Sequence, residues 1–398
     1  MEHPILTLTT KPSRLVIGFM SGTSADGVDA ALVRITGYGR ETKAEQLEFC
    51  FVPFEAPVRA EILRLAGGGA ATAADFCRMN FLLGKLYCEA GLELCRRAGV
   101  APGDIDLIGN HGQTFWHIPV EEEYLGRRIR STLQLGGDAL LAEEFGCPVV
   151  GDFRVRDMAA GGLGAPLVPY TEFLLYRSET ECVALQNIGG IGNISFLPAG
   201  CGLNDVLAFD TGPGNMVIDA LTARLTGGAQ SYDDGGRLAA AGRVSPELLA
   251  YMLDDGYLRR RPPKTTGREA YGPDYVARLL HRAEELSAPL GDALATATRF
   301  TAECIAAAVR DYAPQPPAKL IVGGGGSMNR TLMGHIAALL PGCAVMTNEA
   351  LGYDSNAKEA VAFAILGDRC LAGLPNTLPG VTGAENPTVM GKISLPPL

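Results

Sequence analysis

The order of apolar and polar positions near the start of the chain predicts a β-hairpin. The apolar runs 15–20 and 28–35 flank the turn 21–27, which contains two glycines and three hydroxyl side chains. Two later apolar runs, 183–188 and 194–197, flank a turn with three glycines and repeat this pattern. The repetition indicates two lobes of related design, each containing a hairpin with a glycine-rich turn.

Helical periodicity follows each hairpin, so strands and helices alternate along the chain. Residues 58–98 are predicted to be helical with glycine breaks at 67–69, and apolar side chains spaced at 3.6 residues predict a long helix over 292–312. We predict further strands at 106–108, 148–150, 206–209, 319–322 and 389–393, and further helices at 139–145, from 215 and at 355–371. Such alternation is typical of an α/β fold.

A glycine- and proline-rich stretch at 160–169 is the best candidate for a domain boundary. It predicts an N-terminal lobe over 1–165, which contains the first hairpin. The C-terminal lobe over 166–398 would contain the second hairpin. We expect the last helix and the tail to return to the N-terminal lobe.

Composition narrows the class of protein. The chain has 398 residues, of which 50 are glycine, 47% are hydrophobic and 20% are charged, which excludes wholesale disorder. Its formal net charge is −10, and its densest basic stretch, 259–264, is interrupted by prolines and is interpreted as a solvated loop. An acidic chain of this kind is not expected to bind nucleic acid or an anionic membrane.

The apolar runs and the cysteines predict a cytoplasmic protein. The longest apolar runs, such as 360–366, are far shorter than a membrane span, and charged residues interrupt any signal-peptide core near the N-terminus. None of the ten cysteines stands in a Cys-x-x-Cys pair, so we expect reduced thiols and no zinc site. Cys147, Cys182 and Cys304 lie in apolar stretches and are predicted to pack as small hydrophobic side chains.

The first hairpin turn carries groups that suit phosphate. Ser21, Thr23 and Ser24 supply hydroxyls beside a flexible backbone, and Asp26 supplies a carboxylate. Phosphate would repel that carboxylate unless a cation lay between them, so Asp26 implies Mg²⁺. The alternative interpretation is an ordinary Asx-type turn.

Three more glycine-rich turns stand at predicted strand ends, at 187–193, 210–215 and 323–329. None has the spacing of a P-loop or of a dinucleotide-binding fingerprint. Any one of them alone is more often a simple turn. Four such turns, two expected in each arm of a cleft, favour a nucleotide site.

These residues resemble the sugar kinase–actin–Hsp70 superfamily, and most closely the anhydro-N-acetylmuramic acid kinase family. The matching strings cover nearly the whole chain: GFMSGTSADGVDAAL (18–32), GNHGQT (109–114), GDFRVRDMAAGGLGAPLVP (151–169), QNIGGIGNISF (186–196), FDTGPGNMVIDA (209–220), PPKTTGRE (262–269), GGGGSMN (323–329) and KEAVAFA (358–364). Levoglucosan kinases share most of these strings and are the nearest alternative. Two departures are Ala25, where a larger apolar residue is usual, and Gly-Gly-Asp at 136–138.

The resemblance implies a two-lobed, ribonuclease H-like α/β fold with the active site in the interlobe cleft. It implies that the lobe 1–165 holds the first phosphate hairpin and part of the sugar site. The lobe 166–398 would hold the second phosphate hairpin, the catalytic aspartate and an adenosine loop. It implies an ATP-dependent kinase that opens a 1,6-anhydro sugar ring with water and phosphorylates O6. The products would be N-acetylmuramic acid 6-phosphate and ADP, as in peptidoglycan recycling in a bacterial cytoplasm, with ATP and Mg²⁺ required and a homodimer expected. A nucleotide switch of the actin or Hsp70 type, which needs no sugar pocket, is the alternative from another class.

The resemblance also assigns roles to residues. Asp210 is the expected catalytic base, and Asp152 is the second candidate, more suited to binding sugar hydroxyls. Arg154 would pair with the lactyl carboxylate. The remaining candidates are listed by ligand: for ATP, Ser21, Gly22, Thr23, Ser24, Asp26, Gly27, Asp29, Asn187, Gly189, Gly190, Gly192, Asn193, Gly324, Gly325, Gly326 and Asn329; for the sugar, His111, Gln113, Asp152, Arg154, Asp157, Asp210, Gly212 and Asn215; for the metal, Asp26 and Glu359.

Each of the less specific assignments has a purely structural alternative. Asp152, Arg154 and Asp157 would also suit a salt-bridge cluster, and His111 would suit a buried, hydrogen-bonded loop position. Glu359 would also suit a partner of a helix dipole. Phosphoryl transfer depends mostly on positioning and charge neutralisation, so no lysine nucleophile is expected.

Overall fold

The computed structural model describes residues 4–262, 264–351 and 354–397. The chain divides into two compact units, a first unit of Met1–Leu175 with Asn356–Leu398 and a second unit of Tyr176–Ser355. The predicted boundary at 165/166 thus lies inside the first unit, as do the last helix and the tail.

The strands within the described residues are, in chain order, β1 (Ser13–Ser21), β2 (Gly27–Thr36), β3 (Lys43–Pro53), β4 (Leu107–Tyr124), β5 (Arg127–Leu135), β6 (Val149–Gly151), β7 (Val183–Ile188), β8 (Ile191–Leu197), β9 (Leu207–Pro213), β10 (Lys319–Gly323), β11 (Ala344–Thr347) and β12 (Lys392–Ser394).

The helices within the same residues are α1 (Pro4–Leu8), α2 (Ala56–Ala66), α3 (Ala73–Ala98), α4 (Asp138–Phe145), α5 (Phe153–Ala159), α6 (Val168–Tyr176), α7 (Asn215–Leu225), α8 (Arg237–Ala241), α9 (Pro246–Leu253), α10 (Arg268–Tyr271), α11 (Pro273–Glu285), α12 (Leu290–Tyr312), α13 (Arg330–Leu339), α14 (Lys358–Leu371) and α15 (Pro379–Thr382).

The sheets of the two units share five strands in the same order, and the first sheet contains β5 and β12 in addition. In the first unit the order is β12-β6-β4-β1-β2-β3, with β5 paired to β4. Strands β1, β2 and β3 are antiparallel neighbours, whereas β1, β4 and β6 are parallel. In the second unit the order is β11-β10-β7-β8-β9, with β7, β8 and β9 antiparallel and β7, β10 and β11 parallel. Each unit therefore has the ribonuclease H-like strand order, and the predicted α/β fold is confirmed.

Close contact between α14 and the sheet organises the core of the first unit. A Cβ atom at Gly18 would lie 1.8 Å from the carbonyl oxygen of Ala360, and one at Gly109 would lie 1.9 Å from that of Phe363. Side chains at these two positions would push the helix off the sheet. These glycines of β1 and β4 therefore serve helix packing rather than a turn.

In the second unit, α12 lies at the centre of the packing. Its buried residues contribute to one cluster with α7, α9 and α11 and to another with β7, β8, β9, β10 and α13. Cys304 of α12 is 2% exposed, and Cys147 and Cys182 are also buried, as predicted. The helix thus connects the sheet to the inserted helices α8–α11, which follow α7 along the chain.

Several predicted elements are confirmed, and two have wrong bounds. Both hairpins, the two helices within 58–98, and the long helix ending at Tyr312 are present. The strand predicted at 106–108 instead runs through Leu107–Tyr124, so GNHGQT lies inside β4. Likewise β9 continues to Pro213 and includes Asp210. No helix of the described residues is long and apolar enough to cross a membrane.

Candidate active site

The turn of the first hairpin is supported by a buried hydroxyl. The Oγ atom of Ser21 lies 2.9 Å from the carbonyl oxygen of Gly27 and 2.6 Å from Oε1 of Gln113. Gln113 in turn donates from Nε2 to the carbonyl oxygen of Gly22 over 3.1 Å. Ser21 is 1% exposed, so its hydroxyl holds the turn to β4 within the first unit.

Three side chains of this turn are exposed. Thr23, Ser24 and Asp26 face solvent, while Ala25 between them is buried with a φ of 51°. Ala25 therefore stands in the left-handed region, where a β-branched or bulky side chain is an outlier. The turn thus exposes two of the three predicted hydroxyls and the carboxylate, while Ser21 is buried, and the phosphate role of the turn stays a prediction.

His111 is buried and forms a hydrogen bond with the half-buried Arg154. The Nε atom of Arg154 donates to Nε2 of His111 over 3.0 Å, and Nδ1 of His111 lies 2.7 Å from the carbonyl oxygen of Gly112. Burial, with the nearby Arg154 charge, lowers the pKa of His111 to about 3. The imidazole is therefore neutral, with its proton on Nδ1, and it orients the guanidinium. This geometry matches the alternative of a buried, hydrogen-bonded histidine.

Asp157 supports the loop that follows α5. Its Oδ2 accepts from the backbone N–H of Gly164 at 2.7 Å, and its Oδ1 accepts from the Thr382 hydroxyl at 2.7 Å. Arg154 reaches the same loop by donating from Nη1 to the carbonyl oxygen of Gly164 over 2.6 Å. Asp157 is fully buried, and its hydrogen bonds fix the loop 160–164 to α15. These contacts favour the structural alternative for Asp157.

Asp152 has a carboxylate neighbour that sequence reasoning missed. Asp138, at the start of α4, accepts from Nδ2 of Asn110 at 2.8 Å. Burial raises the pKa of Asp138 to about 6, opposed by the Asn110 hydrogen bond, and the Asp152 charge adds to the rise. Burial also raises the pKa of Asp152, which stands in the left-handed region with a φ of 54°. The Asn-His pair in GNHGQT was the available signal for Asn110, but nothing in the spacing linked it to Asp138.

Glu359 lies in the first turn of α14 and is exposed. Its charge favours the protonated form of Arg154, whose pKa is lowered mainly by burial. Within the described residues, no group of three or more histidine, cysteine, aspartate and glutamate side chains is arranged to hold a metal ion. The pairing of Glu359 with Asp26 at Mg²⁺ therefore stays a prediction.

The second hairpin turn is held by backbone groups. The N–H groups of Gly214 and Met216 donate to the carbonyl oxygen of Gly190 over 2.9 and 3.1 Å, and that of Asn215 donates to Gly189 over 2.7 Å. A Cβ at Gly214 would lie 2.3 Å from the carbonyl oxygen of Gly189. The first amides of α7 therefore bind the turn itself.

Asp210, near the end of β9, is held by the segment 264–266. Its Oδ2 accepts from the Thr265 hydroxyl at 2.7 Å and from the N–H of Thr266 at 3.0 Å. Its backbone N–H donates to the carbonyl oxygen of Lys264 over 3.2 Å, and its carbonyl accepts from the Tyr257 hydroxyl at 2.7 Å. The carboxylate is partly exposed and rigidly oriented. PPKTTGRE marked this segment, although Pro263 lies outside the described residues.

Lys264 is not the solvated side chain that the basic stretch suggested. Its Nζ atom lies 4.8, 5.3 and 5.6 Å from the ring centroids of Tyr257, Tyr312 and Phe209. Burial lowers its pKa. The ammonium thus lies among three aromatic rings, one of which belongs to the residue preceding Asp210.

The glycine run after β10 packs closely against the hairpin of the second unit. A Cβ at Gly324, where φ is 79°, would lie 2.7 Å from Oδ1 of Asn187, and one at Gly326 would lie 2.3 Å from Cγ2 of Ile188. Asn329 is buried and accepts from the N–H of Leu332 at 2.9 Å, so it caps α13. These contacts bring 323–329 to β7, while the predicted adenosine contact stays a prediction.

The candidate residues divide unequally between the units. One glycine-rich turn, 21–27, belongs to the first unit, and those at 187–193, 210–215 and 323–329 belong to the second. The expectation of two glycine-rich turns in each arm is therefore wrong. In the first unit, His111 and Gln113 lie on β4, and Arg154 on α5 donates to His111. In the second unit, Asp210 and Gly212 lie on β9, and Asn215 begins α7.

Two ribonuclease H-like units, each with a glycine-containing hairpin, define a protein of the sugar kinase–actin–Hsp70 class. The family model for anhydro-N-acetylmuramic acid kinase matches residues 14–396. The chain belongs to the anhydro-N-acetylmuramic acid kinase family.

Curated relatives agree with this assignment. The chain is 51% identical over 396 residues to an anhydro-N-acetylmuramic acid kinase of Caldanaerobacter subterraneus subsp. tengcongensis, covering 98% of this chain and 99% of the relative. It is 44% identical to one from Bacillus cereus strain G9842, covering 96% of this chain and 100% of the relative. It is 42% identical to one from Clostridioides difficile strain 630, covering 96% of this chain and 98% of the relative. The matches span nearly all of each chain.

Proposed function

We propose that this protein phosphorylates O6 of anhydro-N-acetylmuramic acid with ATP while water opens the 1,6-anhydro bridge. Family membership over residues 14–396 supports the substrate. The observation that carries the chemistry is the oriented carboxylate of Asp210, which receives two hydrogen bonds on Oδ2. Among the described residues none is seen to donate to Oδ1, so this oxygen is suited to accept a proton.

The proposed reaction combines hydrolysis of the anhydro bridge with phosphoryl transfer to O6. Water attacks C1 of the sugar and gives its proton to Asp210, because water is a weak nucleophile at neutral pH. The C1–O6 bond breaks and O6 attacks the γ-phosphorus of ATP. The bond from that phosphorus to the β,γ-bridging oxygen then breaks, and ADP leaves. The products are N-acetylmuramic acid 6-phosphate, ADP and one proton.

Residues of the first unit are proposed to recognise the sugar. Asp152 is partly exposed beside the hydrogen bond between the buried Asn110 and the half-buried Asp138, and it suits hydrogen bonds to hydroxyl groups. Arg154 is oriented by His111 and keeps donors for a carboxylate such as the lactyl group. His111 and Gln113 act by holding Arg154 and the turn 21–27, rather than by proton transfer.

The exposed oxygens of the turn 21–27 are proposed to face the nucleotide. Thr23, Ser24 and Asp26 form an oxygen-only donor set, which suits Mg²⁺ because this ion takes one or two carboxylates together with phosphate oxygens. Bound Mg²⁺ would neutralise charge on the phosphates. In the second unit, 189–193 and 324–326 supply backbone groups for ATP.

The Asp210→Asn variant tests the base assignment. We expect sugar phosphorylation to fall at least about a hundredfold, because the amide cannot take the proton from water. ATP binding, measured by calorimetry, should be retained. Asp205→Asn is the matched control, since Asp205 is exposed in the loop before β9 of the same unit. Unchanged phosphorylation in Asp210→Asn would overturn the assignment.

A coupled assay of ADP release distinguishes the sugars. We expect turnover with anhydro-N-acetylmuramic acid and little with levoglucosan, which lacks the lactyl carboxylate that Arg154 would bind. Equal turnover with both would remove the proposed role of Arg154, and turnover with neither would remove the substrate assignment. A homodimer and a cytoplasmic location are further proposals that rest on the family resemblance.

A further inference from the structure

A connected set of contacts links the aromatic cage around Lys264 to the carboxylate of Asp210. The cage consists of Phe209, Tyr257 and Tyr312, with ring centroids 4.8–5.6 Å from the Nζ atom. Nζ also donates to the carbonyl oxygen of Leu258 over 3.4 Å. The ammonium is therefore held by three aromatic rings and one carbonyl oxygen.

The backbone at Lys264 connects the caged ammonium to the candidate base, Asp210. Its carbonyl oxygen accepts from the N–H of Asp210, and the next two residues donate to Oδ2 of the same side chain. Two of the cage rings are themselves attached to Asp210. Phe209 precedes it in β9, and the Tyr257 hydroxyl donates to its carbonyl oxygen. Asp210 is thus held from both its backbone and its side chain by elements that meet at Lys264.

We propose that Lys264 is a positioning residue for the phosphorylation reaction: its caged ammonium anchors the segment 264–266, which aims the carboxylate of Asp210. The ammonium does not touch substrate in this role. A cation over several aromatic faces is stabilised by the ring quadrupoles, and more strongly when it is partly removed from water. Small errors in the placement of a base lower the rate steeply, which gives such an anchor kinetic importance.

The inference rests on the proposed role of Asp210, so the experiment separates the two. Lys264→Met removes the charge and keeps the length of the side chain, and Lys264→Arg keeps a cation that stacks on aromatic rings. Thr265→Val removes the hydroxyl donor while leaving the cage intact. Arg260→Met is the matched control, because the exposed Arg260 guanidinium lies 5.9 Å from the same Tyr257 ring.

We expect Lys264→Met and Thr265→Val to lower kcat about tenfold, with KM for ATP and sugar within about twofold of the parent values. Lys264→Arg should recover most of the lost kcat, and Arg260→Met should be unchanged. In the Asp210→Asn background, Lys264→Met should cause no further loss, because a residue that acts only through Asp210 has nothing left to position. Thermal melts establish that each variant is folded.

The outcomes identify which claim fails. If Asp210→Asn keeps its activity, the base assignment is wrong whatever Lys264 does. If Asp210→Asn is inactive and Lys264→Met keeps the parent kcat, the positioning role of Lys264 is wrong, whatever Thr265→Val does. A loss in kcat that multiplies with that of Asp210→Asn, or that Lys264→Arg does not recover, also overturns it, because the lysine would then act by another route.

Discussion

The hairpins of the two units have the same place in the same sheet order but are built by different means. In the first, β1 and β2 are joined by the residues 22–26, whose exposed side chains include Thr23, Ser24 and Asp26. In the second, β7 and β8 are joined only by Gly189 and Gly190, whose carbonyls bind the start of α7.

This difference separates two ways of presenting a turn to a ligand. The first turn offers side-chain oxygens and is held from beneath by the buried Ser21 hydroxyl. The second offers backbone alone and is held by a helix terminus. The chemistry of the first should therefore be sensitive to side-chain changes, and the geometry of the second to any added Cβ atom.

Gly214→Ala in the second turn is expected to give the largest change in the free energy of unfolding. Its new Cβ would lie 2.3 Å from the carbonyl oxygen of Gly189, so α7 would have to move off the second turn. We expect a loss of about 2–3 kcal/mol in the free energy of unfolding, measured by urea denaturation, and a weaker affinity for ATP.

Gly22→Ala is the matched substitution in the first turn. The nearest atom to its new Cβ would be Oγ of Ser24 at 3.7 Å, which is ordinary contact. The free energy of unfolding should change by less than about 0.5 kcal/mol. An equal loss in the two variants would show that the turns are held in the same way after all.

The sequence predicted the two hairpins but not what supports them. Apolar runs around glycine turns identify strands 15–20 and 183–188 because the signal is local. Gly109 shows the limit of the same reasoning, since the predicted strand 106–108 stops before it although it lies inside β4. It is required because Phe363, distant in sequence, approaches its Cα. A pattern along the chain cannot distinguish a glycine that turns from one that admits a helix.

The site residues show the same limit. Asp210 was identified from its own motif, but its partners Thr265 and Thr266 come from an insertion whose path no local pattern predicts. Asp138 and Asn110 likewise meet across the sheet of the first unit. Types of residue were predictable from motifs, whereas hydrogen-bond partners required the fold.

The carboxylates of the two units extend the comparison. Asp210 receives a hydroxyl and an amide donor, whereas Asp138 is half-buried near the like charge of Asp152. The pKa of Asp138 is raised from 3.8 to about 6, so the folded state binds more protons than the unfolded state between these values. Stability should therefore fall as the pH rises from about 4 to about 6, and then level off.

Asp138→Asn should remove that slope and stabilise the protein at pH 7 by on the order of 2 kcal/mol. The amide oxygen can still accept from Asn110, so the hydrogen bond is kept. Urea unfolding at several pH values measures the effect, with exposed Asp205→Asn as the control. A slope that persists in Asp138→Asn would assign the titration to another group, such as Asp152.

Ser21→Ala is expected to change the free energy of unfolding less than Gly214→Ala and Asp138→Asn do, and it tests whether the first turn depends on the buried hydroxyl of Ser21. The substitution leaves Oε1 of Gln113 and the carbonyl oxygen of Gly27 without the Ser21 hydroxyl, at a cost of about 1 kcal/mol. Because Gln113 also binds the carbonyl oxygen of Gly22, the loss should loosen the residues 22–26 and raise KM for ATP. Ser24→Ala, which removes an exposed hydroxyl of the same turn, should leave stability unchanged. If Ser21→Ala lowers stability without affecting KM for ATP, the turn keeps its shape without the buried hydroxyl, and its conformation is then set by the backbone, as in the second unit.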